Sequence, residues 1–361
     1  MTIEARPRPH PTLDEMTARV LNELQDRFPL VERPYRAVGE RLGISEDETL
    51  GRLREARAAG VVRQVCAIYD TKSLGYSSAL VAMQVPAGRL ASAAAVVNAH
   101  PGVSHNYQRN HAFNMWFTVA MPPGHDLDRV IARLHDLAGA ESTRPMPTLR
   151  LFKIGVTLDM AGARPTAARG APEYSDERRA NAAAHIIDDD DIAYICATQG
   201  DLPDDPEPFA AVAGRLGRSV DEVIAHGERL VASGHLRRFA AILNHRAAGF
   251  RANGMAVWAV PTERIEAFGT FVAGYRNVSH CYQRPTYEDW PYNVFSMIHA
   301  PRVDGVEEVA EAIATETGVG DRRVLYSSTE FKKIRLPYFV PEYDEWEALC
   351  EAAAAGEEPE A

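Results

Sequence analysis

Two kinds of hydrophobic periodicity follow one another along the chain. Residues 16–28 carry apolar side chains at helical spacing, and Pro34 opens a second, short helix. Ser45 and Glu48 form a capping box for a third helix. A β-type segment over 61–69 comes next. This order of elements predicts a winged helix-turn-helix.

The following residues alternate between strand and helix patterns. Segments of strand character lie at 78–85, 103–109, 113–121 and 148–158. Helical patterns over 90–98 and 126–137 separate them in the order βαββαβ. That order is typical of the ferredoxin-like, or split βαβ, arrangement.

The whole series of elements is then repeated. Residues 103–109 read VSHNYQR and residues 278–284 read VSHCYQR, so six of seven positions agree. A second capping box, Ser219 with Glu222, precedes a second βαββαβ pattern that ends with a strand at 323–332. The chain therefore contains two copies of one unit.

We predict an α+β fold, a tandem repeat of a winged helix-turn-helix and a ferredoxin-like βαββαβ domain. The first copy is expected at 12–70 and 71–158, a linker at 159–187, the second copy at 188–244 and 245–340, and an acidic tail at 341–361. The second copy also has a small insertion at 288–291.

The charge balance narrows the range of partners. The chain has 39 Lys and Arg against 50 Asp and Glu, a net charge of −11, which argues against non-specific binding to nucleic acid or anionic membranes. No apolar run is long enough for a membrane span, and the polar N-terminus does not resemble a secretory signal. Four isolated cysteines fit reduced thiols in the cytoplasm and do not indicate a zinc site.

The helix-turn-helix pattern raises the question of DNA binding. A helix that reads the major groove needs basic or polar residues in its first turn. The third helix of the first copy begins instead with Glu46, Asp47 and Glu48, and its counterpart begins with Asp221 and Glu222. We therefore expect these helices to act as a scaffold, without DNA as a partner.

The repeated string carries the candidate chemistry. Because side chains alternate along a strand, His105, Tyr107 and Arg109 share one face, as do His280, Tyr282 and Arg284. Imidazole titrates near neutral pH, and guanidinium forms paired hydrogen bonds with carboxylates. Phenol has a flat apolar surface with a polar tip. This combination suits a flat, acidic organic ligand. Structural histidines on a duplicated scaffold are the alternative.

Further residues extend this candidate site. Asn114 and Asn293 follow the next turn, where they could orient a ligand or cap the turn. Lys153 and Lys332 lie on the last strand of each copy, which we expect to neighbour the histidine strand; solvated strand ends are the alternative. His111 lies in a loop and could be a second acid or a solvated side chain.

At this point the motifs resemble a known family. The order of elements resembles the Lrp/AsnC regulators, and the finer strings resemble their enzymatic branch, the siroheme decarboxylases. The strings are 103–109 with FNMWFT at 113–118, GMAVW at 254–258, 278–284, WPYN at 290–293, and VLYSS at 324–328 with Lys332 and Lys333. Family members usually have two related subunits, and here the two copies stand in for them as an internal pseudo-dimer.

The resemblance implies a reaction. Family members remove carboxyl groups from the C12 and C18 acetates of siroheme and give 12,18-didecarboxysiroheme, for haem d1 or alternative haem biosynthesis. His105 and His280 would then be the acids. Substrate binding would fall to Tyr107, Arg109, His111, Asn114, Lys153, Tyr282, Arg284, Asn293 and Lys332. No cofactor or protein metal site is expected, because the iron belongs to the substrate.

Other functions remain open at this stage. A transcription regulator could sense an amino acid or a tetrapyrrole on the βαββαβ face, and an inactive carrier could bind siroheme without releasing carbon dioxide. Either histidine could instead ligate the siroheme iron. The sequence leaves open the pathway, the order of the two decarboxylations, whether both copies act, and any association into a larger homo-oligomer.

Overall fold

The computed structural model describes residues 13–26, 28–154, 185–244, 252–275, 277–300 and 302–355. The chain divides into two compact units, and each takes residues from both sequence copies. Within the described ranges, the helix-turn-helix unit contains 13–69 and 189–244. The double-sheet unit contains 70–154, 185–188 and 252–355. Most of the predicted linker lies outside the described residues.

The first copy supplies five helices and six strands among the described residues. They are α1 (Glu15–Asp26), α2 (Pro34–Leu42), α3 (Glu46–Ala58), β1 (Val62–Tyr69), β2 (Ser77–Gln84), α4 (Leu90–Ala99), β3 (Val103–Arg109), β4 (Met115–Met121), α5 (Leu127–Ala138), β5 (Ser142–Pro147) and β6 (Arg150–Ile154). A 3-10 turn over Ala87–Arg89 leads into α4.

The second copy repeats this series. It comprises α6 (Asp189–Thr198), α7 (Pro208–Leu216), α8 (Val220–Ala232), β7 (Leu236–Leu243), β8 (Ala252–Trp258), α9 (Ile265–Ala273), β9 (Val278–Gln283), β10 (Val294–Ala300), α10 (Val303–Thr317), β11 (Arg322–Leu325) and β12 (Ser327–Lys333). A further helix, α11 (Glu342–Ala355), follows. No described helix is long and apolar enough to cross a membrane.

Local sequence explains the helix boundaries of both copies. Pro34 and Pro208 occupy first turns, where a missing N–H costs no hydrogen bond. Gly43 and Gly217 end these helices with φ of 74° and 64°, in the left-handed region that favours glycine. The predicted box at Ser219 is complete, because the Glu222 side chain accepts from the Ser219 backbone in return.

In the helix-turn-helix unit the two wings form one sheet. Strands β1 and β7 pair antiparallel, with Val65 opposite Ala241. An aromatic cluster from both copies supports the pairing, since the Phe28 ring lies 5.6 Å from Tyr35 and 6.4 Å from Phe209, centroid to centroid. The two helix-turn-helix copies therefore share a core.

The described residues of the double-sheet unit form two five-stranded sheets. One has the order β12-β3-β4-β2-β5 and the other β11-β8-β10-β9-β6. Each sheet is one ferredoxin-like copy with a strand of the other copy added at the edge. The α+β tandem fold predicted from the sequence is confirmed, and the two copies are joined as an internal pseudo-dimer by exchanged strands.

The predicted last strand of each copy was wrong in one respect. In the second copy the predicted strand is split into β11 and β12. In the first copy β5 precedes the predicted segment 148–158, β6 lies within it, and residues 155–158 lie outside the described range. Strands β5 and β11 pair within their own copy, while β6 and β12 cross to the other. In a βαββαβ sheet the histidine strand is an edge, with backbone groups that need partners. The crossing segment supplies them, so the neighbour of each histidine strand comes from the opposite copy.

Both copies contribute to the core between the two sheets. The apolar cluster there contains Ala82, Phe113, Trp116, Met146, Met255, Val257, Trp290, Tyr292, Phe295 and Leu325. Trp290 comes from the insertion at 288–291 and is fully buried. A second cluster lies between the second copy's sheet and its helices.

The described part of the acidic tail, helix α11, packs against the first copy. The Trp346 ring lies 4.4 Å from that of His100, centroid to centroid, and His125 lies 3.2 Å from a Glu347 carboxylate oxygen. Burial lowers the pKa of His100 to about 3, so this imidazole is neutral in the folded protein.

Candidate active site

The structure places imidazole, phenol and guanidinium in a row on each histidine strand. The rings of His105 and Tyr107 are 6.1 Å apart, centroid to centroid, and the Arg109 Cζ lies 5.7 Å from the Tyr107 ring centre. Histidine and tyrosine are half-buried, whereas arginine is buried. We call this group the His105 row.

The second copy repeats the arrangement as the His280 row. His280 and Tyr282 have ring centroids 6.0 Å apart, and the Arg284 Cζ lies 4.9 Å from the Tyr282 ring centre. The shared face that period-two alternation predicted is therefore present in both copies.

A β-bulge precedes each histidine. The register shifts between Val103 and His105, and again at the matching place beside His280. Bulges re-aim side chains, and here each places a serine hydroxyl against the imidazole that follows. The distance from Oγ to Nδ1 is 3.0 Å for Ser104 and His105 and 2.8 Å for Ser279 and His280. These contacts favour Nε2 as the atom that faces a ligand.

Both rows lie on the sheet faces that meet in the core. Tyr107 is directly opposite Trp116, and Tyr282 is opposite Phe295. Trp116 and Phe295 both belong to the apolar cluster between the sheets. The rows therefore border a largely apolar environment, in which a charged group interacts strongly with a partner.

Each arginine of the rows is tied to the opposite copy. Arg109 Nη1 donates to the Leu325 carbonyl at 2.9 Å, and Arg284 Nη1 donates to the Met146 carbonyl. These carbonyls occupy corresponding places, near the points where the last strands split. The arginines thus stabilise the exchanged strands as well as the rows.

The two guanidinium groups lack a carboxylate partner among the described residues. The Nε atoms of Arg109 and Arg284 are buried without a hydrogen-bond acceptor. Burial lowers the pKa of each arginine to about 10, which the nearby phenol partly offsets. Both stay protonated at neutral pH. A buried cation without a counter-ion is costly, so these positions favour an anionic ligand.

His111 lies two residues after Arg109, where its backbone N–H donates to the Arg109 carbonyl at 3.0 Å, and its ring packs against the core between the sheets. Its ring is 5.2 Å from that of Trp290 and 6.0 Å from that of Phe113, centroid to centroid. Burial, and next the positive charge of Arg323, lower the pKa of His111. Its Nδ1 accepts from the Phe113 backbone at 3.0 Å, which leaves Nε2 for other contacts.

Asn114 and Asn293 have a structural contact in place of the expected ligand contact. Asn114 Oδ1 accepts from the Val85 backbone at 3.0 Å, and Asn114 Nδ2 donates to the Val85 carbonyl at 2.8 Å. Asn293 forms the same pair with Val260 at 3.0 and 2.8 Å. Each amide thus joins two strand ends, as a turn cap would, and we leave both out of the proposed site.

Lys153 and Lys332 lie on the opposite sheet face from the rows. Lys332 is paired with Asn106 and Lys153 with Cys281, both on the helix side. Lys332 Nζ donates to the Asn98 carbonyl at 2.6 Å and Lys153 Nζ to the Tyr275 carbonyl at 2.7 Å. The lysines cap the ends of α4 and α9, where a cation is favourable. We therefore leave both lysines out of the proposed site.

The structure brings two other basic side chains to the rows. Lys333 is directly opposite His105, whereas the corresponding place opposite His280 holds Ile154. His299 reaches the His280 row through Ser279, with Nε2 2.6 Å from the serine Oγ. The adjacent pair Lys332 and Lys333 was a signal in the sequence, but only the strand register shows which lysine faces the row.

Among the described residues, no group of three or more His, Cys, Asp or Glu side chains could hold a metal ion. The buried guanidinium of each row suits an organic anion. An iron carried within the ligand is compatible with them, because either half-buried imidazole could approach it.

Models of two protein families match both copies. The AsnC-like ligand binding domain matches residues 73–153 and 247–332. The siroheme decarboxylase NirDL-like HTH domain matches residues 18–63 and 191–237. The two matches alternate along the chain in the order predicted from its periodicity.

Individual relatives extend over most of the chain. The siroheme decarboxylase of Hydrogenobacter thermophilus is 37% identical over 91% of this chain and 96% of its own length. The siroheme decarboxylase beta subunit of Methanosarcina barkeri is 42% identical, over 41% of this chain and 97% of its own length. A single copy thus corresponds to a whole subunit in that relative.

A solved structure gives the same result. The siroheme decarboxylase NirDL in co-complex with an iron-uroporphyrin III analogue is 32% identical, covers 94% of this chain with 100% of its own, and superposes with a TM-score of 0.75. The family resemblance seen in the sequence motifs is confirmed: the chain belongs to the siroheme decarboxylase family.

Proposed function

We propose that this protein is a siroheme decarboxylase, a carboxy-lyase that converts siroheme to 12,18-didecarboxysiroheme. One observation carries the proposal. Two half-buried imidazoles each stand in a row with a buried guanidinium that has no described carboxylate partner. A macrocycle bearing carboxylates on its rim would supply the missing anions. The family to which the chain belongs supplies the identity of that macrocycle.

The arginines bind and position in this proposal. Holding the reacting carboxylate tightly would stabilise the ground state and slow its loss, because only interactions that are stronger in the transition state accelerate a reaction. Arg109 and Arg284 therefore anchor carboxylates that stay on the product, or orient the reacting acetate without neutralising it. Tyr107 and Tyr282 supply flat surface beside them.

The histidines supply protons. Loss of carbon dioxide leaves an electron pair that the macrocycle accepts, more readily when the attached ring is protonated. A proton must then reach the new methyl carbon. An acid whose pKa is near neutral suits both tasks, and His105 and His280 occupy the positions for it. The macrocycle is its own electron sink, so the proposal includes no added cofactor. The competing role of either imidazole is ligation of the substrate iron.

His111 has a secondary role in this proposal. Its half-buried ring lies in the core between the sheets, and its Nε2 can donate to a carboxylate. We assign it to substrate binding, together with the tyrosines and arginines of the rows.

The regulator alternative receives less support from the chain. Helices α3 and α8 begin with acidic first turns, which repel a phosphate backbone. We propose that the helix-turn-helix unit serves as a scaffold and that the enzyme works in the cytoplasm, where its free cysteines stay reduced. The segment boundaries given above stay a prediction.

Turnover with purified siroheme under anaerobic conditions tests the proposal. Mass spectrometry should show successive loss of two carboxyl groups, with release of carbon dioxide. Binding of siroheme, seen as a shift of its absorption bands, without loss of either group would identify a carrier and overturn the enzymatic function. Salt-sensitive, sequence-selective binding to the DNA upstream of the protein's own gene, also without turnover of siroheme, would favour the regulator.

A further inference from the structure

A second histidine is connected to the His280 row by one serine hydroxyl. The Ser279 Oγ lies 2.8 Å from His280 Nδ1 and 2.6 Å from His299 Nε2. Ser279 is buried, while both imidazoles are half-buried. The three side chains form a continuous hydrogen-bonded chain.

The strand register explains how they meet. His280 is opposite Met297 on β10, and the bulge at Ser279 turns the hydroxyl toward the next inward-facing residue of that strand, His299. Ile298, between them, is fully buried on the helix side. The contact therefore results from the bulge as well as from the sequence of β10.

The His105 row has the serine without the second imidazole. His105 is opposite Thr118, as His280 is opposite Met297, so the position that corresponds to His299 is Ala120. Ala120 is buried and has no titratable group. The two rows thus share an acid, a phenol and a guanidinium, but this chain of three polar side chains belongs to the His280 row.

We propose that Ser279 and His299 relay a proton to His280 during the decarboxylation carried out by that row. The inference rests on the proposed function. In the reaction the bond between the acetate methylene carbon and its carboxylate breaks, the electron pair stays with the carbon, and carbon dioxide leaves. One proton then forms the new C–H bond, so each carboxyl group lost consumes one proton and needs no oxidant or reductant.

The geometry lets that proton arrive without leaving a charge on His280. Protonated His299 donates from Nε2 to the Ser279 oxygen, the serine hydroxyl donates to His280 Nδ1, and His280 gives up the proton on Nε2. Each intermediate member gains one proton as it loses one. His299 ends neutral and is reprotonated from solvent. In the His105 row the acid must regain its proton by another route.

The test uses the full chain with siroheme under anaerobic conditions, with the monodecarboxylated isomers separated by chromatography and mass spectrometry. His280→Ala first identifies the isomer that accumulates when the His280 row is inactive. His299→Ala should accumulate that same isomer, with kcat for the blocked step roughly tenfold lower and KM within about twofold of the parent value. Added imidazole should restore part of the lost rate.

A conservative variant separates proton transfer from positioning. The amide of His299→Gln can donate a hydrogen bond to Ser279 but cannot transfer a proton. This variant should therefore be as slow as His299→Ala, even though it keeps the hydrogen bond to Ser279. His125→Ala, which changes a histidine packed against the tail helix in the same unit, is the matched control and should keep both rates.

Three results would overturn the relay. They are an unchanged kcat in both His299 variants, a normal rate in His299→Gln alone, and accumulation of the other isomer. A parent enzyme that releases no carbon dioxide at all would instead remove the proposed function, and with it the reaction that the relay serves. Binding of siroheme, followed by its absorption bands, shows in each case that the variant is folded.

Discussion

The two rows are built from the same repeated string, yet their surroundings differ. Opposite His105 stands Lys333, a cation, whereas opposite His280 stands the apolar Ile154. Behind His280 the chain of Ser279 and His299 continues the hydrogen bonding, whereas the corresponding place in the first copy is Ala120. The acids are duplicated, but the groups that serve them are not.

This difference shows what duplication leaves free to change. Each histidine and tyrosine lies on the histidine strand of its own copy, and each arginine lies at or directly after the end of that strand. Each histidine has one neighbour on a strand of its own copy and a second neighbour, Lys333 or Ile154, on a strand of the other copy. In a fused chain the two crossing strands can differ in sequence. A symmetric pair of acids can therefore treat two positions of an asymmetric macrocycle differently.

The largest effect should come from removing the acids. We expect His105→Ala and His280→Ala each to lower one decarboxylation by about 100-fold or more, the range typical of general acid–base catalysis. Because the rows are separate, the two variants should accumulate different monodecarboxylated isomers. Chromatography with mass detection distinguishes them. Complete double decarboxylation by both variants would remove the histidines from the mechanism, and one common isomer would remove the separation of the rows.

The next largest effect concerns the buried arginines. Replacing Arg109 or Arg284 by Met should weaken siroheme binding by about 2 kcal/mol or more, since the ligand carboxylate loses its buried partner. The same change removes a cation that burial disfavours in the ligand-free protein. The free energy of unfolding should therefore fall by no more than about 1 kcal/mol. Absorption titration measures the first quantity and urea unfolding the second.

The sign of that stability effect can be checked with pH. Burial holds the pKa of each arginine near 10 in the folded chain, below its ordinary value of 12.5. The unfolded chain then binds more protons between those values, so this contribution to stability rises as pH increases through that window and is least favourable below it.

Unchanged siroheme affinity in both methionine variants would contradict the assignment of the arginines as carboxylate anchors.

A smaller effect distinguishes two adjacent lysines. Lys333→Met should weaken siroheme binding a few-fold and slow mainly the step that His105→Ala blocks, because it removes a half-exposed cation beside that imidazole. Lys332 lies on the other face of the sheet, toward the helices, and Lys332→Met is the comparison. It should lower the free energy of unfolding by about 0.5–1 kcal/mol through the lost cap on α4, and keep the product ratio.

Product ratios and urea unfolding of the two lysine variants together test whether Lys333 serves the His105 row and Lys332 only stabilises the fold. Equal product ratios in both variants would show that the cation opposite His105 does not distinguish the rows. If Lys333→Met instead accumulated the isomer seen in His280→Ala, Lys333 would act on the His280 row, which contradicts the prediction.

These lysines also show how far the sequence could lead. The row of His105, Tyr107 and Arg109 followed from alternation within one strand, and the capping box at Ser219 followed from residues three positions apart. Such features depend on local geometry. The family could be identified from the same short strings.

The features that sequence reasoning missed depend on pairing between distant segments. Lys332 was expected on the strand beside the histidine strand, but the sequence did not show which sheet face it occupies. That face depends on pairing with β3 of the other copy and on a bulge just before Lys332. His299 meets His280 only through the bulge at Ser279. A bulge changes which side chains face each other, and the periodicity of a single strand does not predict where a bulge occurs.

The smallest difference between the copies is expected at the two asparagine clamps. Asn114→Ala and Asn293→Ala each leave a backbone N–H and carbonyl without their amide partner, which should lower the free energy of unfolding by about 1–3 kcal/mol. Because the four hydrogen bonds match in length between copies, the two losses should agree within about 0.5 kcal/mol. Urea unfolding measures both, and the ratio of decarboxylated products should stay at the parent value. A variant that kept its stability but lost one decarboxylation would return that asparagine to the substrate site.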